Sequence, residues 1–372
     1  MKQKKKIQIV TWTGYNNYGT HLQCYSLLHK IQNLGYDVKV LAPFNVESTF
    51  KSYIKYLLNK IGYDSYKEKK QYFVNEKLKK VYKFHHENLS IQEIFTRRQY
   101  KKILNETDVY ISGSDQIWNT HHAFKPFYFL DFAKNSKRIA YASSLGSPNI
   151  NPIYTESVKK YLQHFCHIGV REKTAVDVLV ELTGRNDIRQ VLDPTFLLSP
   201  QDWYSFYQDA NIEFKLPQKY IFVYLIGKNE EYLRQVEQVK QALGIKDVIV
   251  VKSGENPDFK LKDSINYDSA GPKEFLKLLC NATFVCTDSF HATALSINNS
   301  INFVEFLRFR DTDIKSQNSR IYDLLENYNL SNRFYNEMSD TWTSLINYTD
   351  IQKKLDCERK DSLYFLVHSI EK

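Results

Sequence analysis

Residues 7–43 read IQIVTW (7–12), TGYNNYGT (13–20), HLQCYSLLHKIQNL (21–34), Gly35 and YDVKVLAP (36–43). The two apolar runs flank a polar stretch and a segment in which Leu22, Tyr25, Leu27, Leu28, Ile31 and Leu34 fall near helical spacing, so the order is strand, loop, helix, strand. Gly35 suits the left-handed backbone position that closes a helix. A βαβ unit of this kind begins a parallel sheet, and the fold class is α/β.

Further strands are expected at DVYIS (108–112), RIAYA (138–142), IGV (168–170) and RQVLD (189–193), each running into a polar or charged cluster. In open parallel sheets ligands sit beyond the carboxyl ends of the strands, so these clusters form one candidate rim. After the polar, proline-containing stretch 199–218 the alternation starts afresh with YIFVYLIG (220–227), a helix ending at Gly244, DVIVV (247–251), KEFLKLLC (273–280), ATFVCT (282–287) and INFVEF (301–306). The expected organisation is a first domain over 1–205, a second over 215–345, a cleft between them, and an amphipathic helix over 346–372 packing back on both.

A chain of 372 residues exceeds what one core usually serves, and 42% hydrophobic with 25% charged residues is the composition of a folded protein. No apolar run approaches the roughly 18 residues of a spanning helix, and no signal-type apolar segment follows the basic start, which points to the cytoplasm. The five cysteines are scattered without metal-ligand spacing, so reduced thiols and no metal site are expected. The net charge of +9 is concentrated: residues 51–104 hold 14 Lys and Arg against 5 Asp and Glu. A basic excursion over 50–104 is either a solvated helix face or an electrostatic contact for an anionic partner. No nucleic-acid motif accompanies it and the remainder is neutral, which argues against nucleic acid.

The strongest chemical signal is TDSFHATALSI (287–297), where a strand end meets a helix start. Backbone N–H groups there favour anions, which makes His291 a catalytic candidate and Ser289 a donor-binding one. The purely structural reading makes Ser289 a helix cap and His291 a packed core residue. In SGSDQIWN (112–119), Ser112, Gly113 and Ser114 allow close backbone approach, Asp115 offers a carboxylate and Trp118 a stacking surface, or else an ordinary turn with a core tryptophan. Asn17, Tyr18 and Gly19 stand in the first βα loop, which has neither the dinucleotide nor the Walker glycine pattern. Arg171 and Lys173 follow a strand end and offer positive charge. Arg320 stands at a helix start, where a cation is unfavourable unless an anion compensates it.

Taken together, NYGTHLQ (17–23), GSDQIWN (113–119), ASSLG (142–146), VREK (170–173), LDPTFLL (192–198) and TDSFHA (287–292) resemble the polysaccharide pyruvyl transferase family. The resemblance implies a GT-B-like fold, two Rossmann-like domains facing across a cleft. It also implies transfer of pyruvyl carbons from phosphoenolpyruvate to a sugar of a cell-surface polysaccharide or a lipid-linked precursor, with no cofactor. His291 would then be the general acid, Arg171, Lys173 and Arg320 would hold the donor, and Asp115 and Trp118 would serve the acceptor. Two features depart from the family pattern: His21, which bears on the acceptor site, and the long basic excursion, which bears on contact with the inner membrane face. A nucleotide-sugar glycosyltransferase on the same architecture is the alternative.

Overall fold

The computed structural model describes residues 4–14, 17–43, 75–94, 96–122, 124–313 and 315–372. The first half builds β1 (Lys6–Val10), α1 (Tyr18–Asn33), β2 (Asp37–Leu41), α2 (Glu76–Asn88), β3 (Ile91–Gln92), α3 (Arg97–Glu106), β4 (Val109–Ser112), β5 (Lys137–Ser143), α4 (Thr155–Leu162), β6 (His167–Val170), α5 (Lys173–Thr183) and β7 (Arg189–Gln190). Its seven strands lie in the order β3-β2-β1-β4-β5-β6-β7, and every neighbouring pair is parallel. Ile7, Ile9 and Val10 are fully buried, as a central strand covered by helices on both faces requires. The chain runs outward from β1 to β3 and then returns to β4, so a crevice opens beyond the carboxyl ends of β1 and β4.

After α6 (Pro200–Tyr207), the second half repeats the device with β8 (Ile221–Tyr224), α7 (Tyr232–Leu243), β9 (Val248–Val250), β10 (Ile265–Asn266), α8 (Pro272–Cys280), β11 (Phe284–Thr287), α9 (Phe290–Asn298) and β12 (Phe303–Glu305). These strands lie in the parallel order β10-β9-β8-β11-β12, with the reversal between β8 and β11. α10 (Ser319–Asn327) and α11 (Tyr348–Glu371) complete the chain. No helix among the described residues is long and apolar enough to cross a membrane.

Two details differ from the sequence expectation. α1 begins at Tyr18, inside the stretch read as loop, because the Asn17 side chain caps it by accepting from the N–H groups of Gly19 and Thr20. Gly35 does adopt the left-handed conformation just past the helix, at φ 93°. The second difference concerns the basic excursion. Its residues 50–74 lie outside the described residues, but α2 turns two lysines inward as a brace between the halves. Lys77 donates to the Lys252 carbonyl and lies 4.6 Å over the Tyr18 ring. Lys80 meets Glu213 at 2.7 Å, Glu274 at 3.3 Å and the Tyr267 hydroxyl at 3.0 Å. Those two charges are spent within the protein.

α11 also ties the halves together. Gln352 donates to the Ile297 carbonyl and Arg359 to the Phe196 carbonyl, while the Ser362 hydroxyl accepts from the Leu192 N–H.

His21 and His85 are both buried, and His85 Nε2 lies 2.9 Å from His21 Nδ1. Burial lowers the His85 pKa to about 4. The unfolded chain takes up this proton below about pH 6.5 and the folded one only near 4, so acid favours unfolding over that window, by about 3 kcal/mol in full. Urea unfolding at pH 7 and pH 4.5 measures this, and His85→Phe is expected to flatten the difference.

Candidate active site

The carboxyl ends of β1 and β4 face those of β8 and β11 across a cleft of about 800 Å³. The first half contributes Thr11, Trp12, Thr20, Asp115, His122 and Tyr128; the second contributes Lys228, Ser289, His291, Arg308, Gln317 and Arg320.

His291 is the second residue of α9, whose N-terminus is capped by the Ser289 hydroxyl accepting from the Ala292 N–H. Helix capping and cleft lining therefore coexist at Ser289, and His291 is both packed and facing the site. Its Nε2 lies 3.6 Å from Oδ2 of Asp193, which comes from the other half of the chain. Asp193 is fixed from several sides. Ser114 donates to Oδ2 at 2.8 Å, Arg171 Nη1 reaches the same oxygen at 3.2 Å, and the N–H and hydroxyl of Thr195 donate to Oδ1. Burial by itself would raise the Asp193 pKa, but His291 and Arg171 overcome it and hold the carboxyl well below its ordinary range. A permanent negative charge thus stands behind the imidazole.

The other face of the ring meets Gly19. A Cβ at that position would lie 2.4 Å from His291 Nδ1 and 2.5 Å from its Cβ and Cγ, so any side chain there displaces the histidine. Gly19→Ala is expected to lower kcat about 10²-fold, the scale of a misplacement near 1 Å, and, because the clash reaches His291 Cβ, to cost about 1–3 kcal/mol of stability. Steady-state kinetics beside a melting curve checks it.

Two arginines face the cleft. Arg308 donates to the Asp288 carbonyl, and its Nε lies 3.4 Å from Asp288 Oδ2. Arg320 donates to Gln317, through its carbonyl and its side-chain oxygen, and to the Gln116 side-chain oxygen when that amide is turned toward it, and is only 5% exposed. Burial and the neighbouring Arg171 and Arg308 push its pKa down to about 9. Desolvation leads this shift and the neighbouring cations add to it, and a bound anion relieves both. Opposite them, Asp115 holds a left-handed backbone at φ 73°, unusual without glycine. Its Oδ2 accepts from the Thr20 hydroxyl at 2.7 Å and its Oδ1 from the Gln116 N–H at 2.8 Å.

Residues 17–307 match the polysaccharide pyruvyl transferase family. The chain belongs to that family. Membership makes it a transferase with a polysaccharide or other sugar acceptor. Comparison with curated proteins finds no match. Among solved structures, the UDP-GlcNAc 2-epimerase of Neisseria meningitidis bound to UDP-GlcNAc aligns over 98% of this chain and 100% of its own, at 8% identity and a TM-score of 0.52. The UDP-GlcNAc 2-epimerase of Methanocaldococcus jannaschii aligns over 95% and 99%, at 11% identity and a TM-score of 0.49. At such identities the likeness concerns the fold, and the first of them supports the GT-B arrangement.

Of the residues singled out in the sequence of this pyruvyl transferase family member, Asn17, Asp115, Ser289, His291 and Arg320 line the cleft together. Others sit elsewhere. Trp118 is 1% exposed, stacks on Phe129 and donates to the Tyr128 carbonyl, so it is core and no sugar platform. Tyr18 is a plug between the halves, stacked on Phe275 at 4.5 Å with its hydroxyl donating to the Ala270 carbonyl. Ser112 bonds the Tyr128 carbonyl, Gly113 packs against Thr11 and Ile9, and Ser114 acts through Asp193. Arg171 stands one layer back, committed to Glu172, Asp193 and Ser144, and lies 3.8 Å over the Phe290 ring. Lys173 is exposed and does not line the cleft. His21 is buried against α2, paired with His85, and does not line the cleft.

Sequence reasoning missed Asp193, Thr20, Arg308 and Trp12. Asp193 lay inside LDPTFLL, one of the motifs that carried the resemblance. Nothing local to Arg308 or Trp12 distinguishes either from a surface residue at a strand end.

Proposed function

We propose that the chain transfers the pyruvyl carbons of phosphoenolpyruvate to two hydroxyls of one sugar in a cell-surface polysaccharide or its lipid-linked precursor, leaving a pyruvate ketal and inorganic phosphate. The observation that carries this reading is the meeting, in one cleft, of a histidine backed by the Asp193 carboxylate with the crowded arginines 308 and 320. A donor with a carboxylate and a phosphate needs two cationic partners and an acid for its methylene carbon.

In this scheme Nε2 of His291 is turned to Asp193, which leaves Nδ1 to give its proton to the methylene. Positive charge then develops on the central carbon and is shared with its oxygen. One sugar hydroxyl attacks that carbon, and Asp115 takes the hydroxyl proton. The second hydroxyl attacks, the carbon–oxygen bond to phosphate breaks, and phosphate leaves. Asp115 passes its proton to the leaving phosphate, and the proton of the second hydroxyl restores His291. Arg308 and Arg320 oppose the donor's anionic groups throughout, and Asp193 stabilises the imidazolium.

Incubation of the purified chain with phosphoenolpyruvate and a lipid-linked or oligosaccharide acceptor is expected to release phosphate and add a pyruvyl mass to the sugar. Turnover with a nucleotide sugar alone would place the chain among glycosyltransferases and end this reading.

A further inference from the structure

The two walls of the cleft differ in chemistry. The second half supplies Lys228, Arg308 and Arg320, whereas among the described residues the first half supplies no Lys or Arg. Its wall is made of Trp12, Thr13, Pro43, His122 and Tyr128, with Asp115 as its carboxylate. Trp12 stands apart from the other tryptophans. Trp118, Trp203 and Trp342 are 1, 0 and 2% exposed, while Trp12 is half-buried on the cleft. Its ring neighbours stand steeply to it in T-shaped contacts: His122 at 6.1 Å and 69°, Tyr128 at 6.4 Å and 74°. The indole is therefore braced by two rings, and among the described residues no ring is stacked parallel on it.

An aromatic face held rigid at a cleft suits a ligand that is apolar across one plane and polar around its rim. A pyranose ring has that shape, with C–H bonds on one face and hydroxyls at the edge. We propose that Trp12 is the platform on which the acceptor sugar stacks, and that this wall selects a neutral hexopyranose over a uronic acid. The selection follows from charge. A sugar carboxylate placed here meets Asp115 and, among the described residues, finds no Lys or Arg on the same wall. A hydroxyl finds in Asp115 an acceptor already held in place by Thr20 and by the Gln116 N–H. The proposal deepens the transferase reading above, and it assigns to Trp12 the stacking role that sequence alone gave to Trp118.

The test separates sugar binding from donor binding. Saturation-transfer NMR is run with methyl glucopyranoside, methyl galactopyranoside, methyl mannopyranoside and methyl galacturonide on the full chain. At least one neutral glycoside is expected to bind, and the galacturonide at least about tenfold more weakly. Trp12→Ala is expected to weaken the neutral ligand about tenfold or more, and Trp12→Phe much less. Should Trp12→Ala fail to fold, tryptophan emission decides: a sugar-dependent change in the wild type that vanishes in Trp12→Phe supports the platform. Thermal stabilisation by phosphoenolpyruvate is followed in parallel and is expected to be the same in all three proteins. Binding of no neutral glycoside, equal binding of the galacturonide, undiminished binding by Trp12→Ala, or emission that still responds in Trp12→Phe overturns the proposal. If phosphoenolpyruvate fails to stabilise any of the proteins while the Trp12 pattern holds, the donor reading falls and the platform stands.

Discussion

Replacing His291 by glutamine is expected to lower kcat by roughly 10²–10⁴-fold, the usual contribution of a positioned general acid. Glutamine fills much of the same space over Gly19 but offers no titrating proton. Asp193 retains Ser114, Arg171 and Thr195 as partners after the substitution, so no buried charge is orphaned. The thermal unfolding midpoint should accordingly correspond to a change within about 1 kcal/mol. Equal loss of activity and folding would show that the ring serves packing alone. Kinetics at saturating donor, paired with a melting curve on the same preparation, separates the two.

Asp193→Ala has the largest expected effect on stability, a loss of about 3–5 kcal/mol. The substitution leaves Arg171 buried with Glu172 as its remaining carboxylate and strips two hydroxyls, Ser114 and Thr195, of their acceptor. Because the folded-state pKa is depressed, this stabilisation is present above the ordinary carboxylate range and is lost as pH falls through and below it. The Ala variant is therefore expected to lose its extra sensitivity to acid along with its stability, which urea unfolding across pH 3–7 measures at about unit steps. Asp193→Asn preserves the shape and removes only the charge. It should fold better than Asp193→Ala yet turn over more slowly than the wild type, since the imidazolium loses its counter-charge. A fully active Asp193→Asn would remove Asp193 from the chemistry.

The parts of the fold that were legible are those set by local periodicity. The apolar runs and Gly35 announced the first βαβ unit, and the strand ends at Ser112 and Thr287 marked the rim of the site, while the one at Val170 leads to residues a layer behind it. What escaped was set by partners distant in sequence. Trp118 and Trp12 are both tryptophans beside a strand end; only the packing of Phe129 on one and the T-shaped neighbours of the other tell which is core. Arg171 reads as an anion ligand from VREK, but Glu172, Asp193 and Ser144 converge on its guanidinium from three segments. The lysines of α2 read as a solvated charge run, and two of them turn out to brace the second half. His291 is the instructive case. Its position was visible as a strand end meeting a helix start, while its partner Asp193 lies 98 residues earlier, in the other half of the chain.

In the proposed reaction His291 protonates the methylene carbon of the donor. The most direct test of this step is the reaction of phosphoenolpyruvate with a sugar acceptor in deuterium oxide, with mass spectrometry of the ketal methyl group. The imidazole proton exchanges with solvent, so the wild type is expected to form a methyl group carrying one solvent deuterium, and His291→Gln to form almost no ketal at all. A ketal produced by His291→Gln at the wild-type rate, with the same deuterium content, would contradict the account.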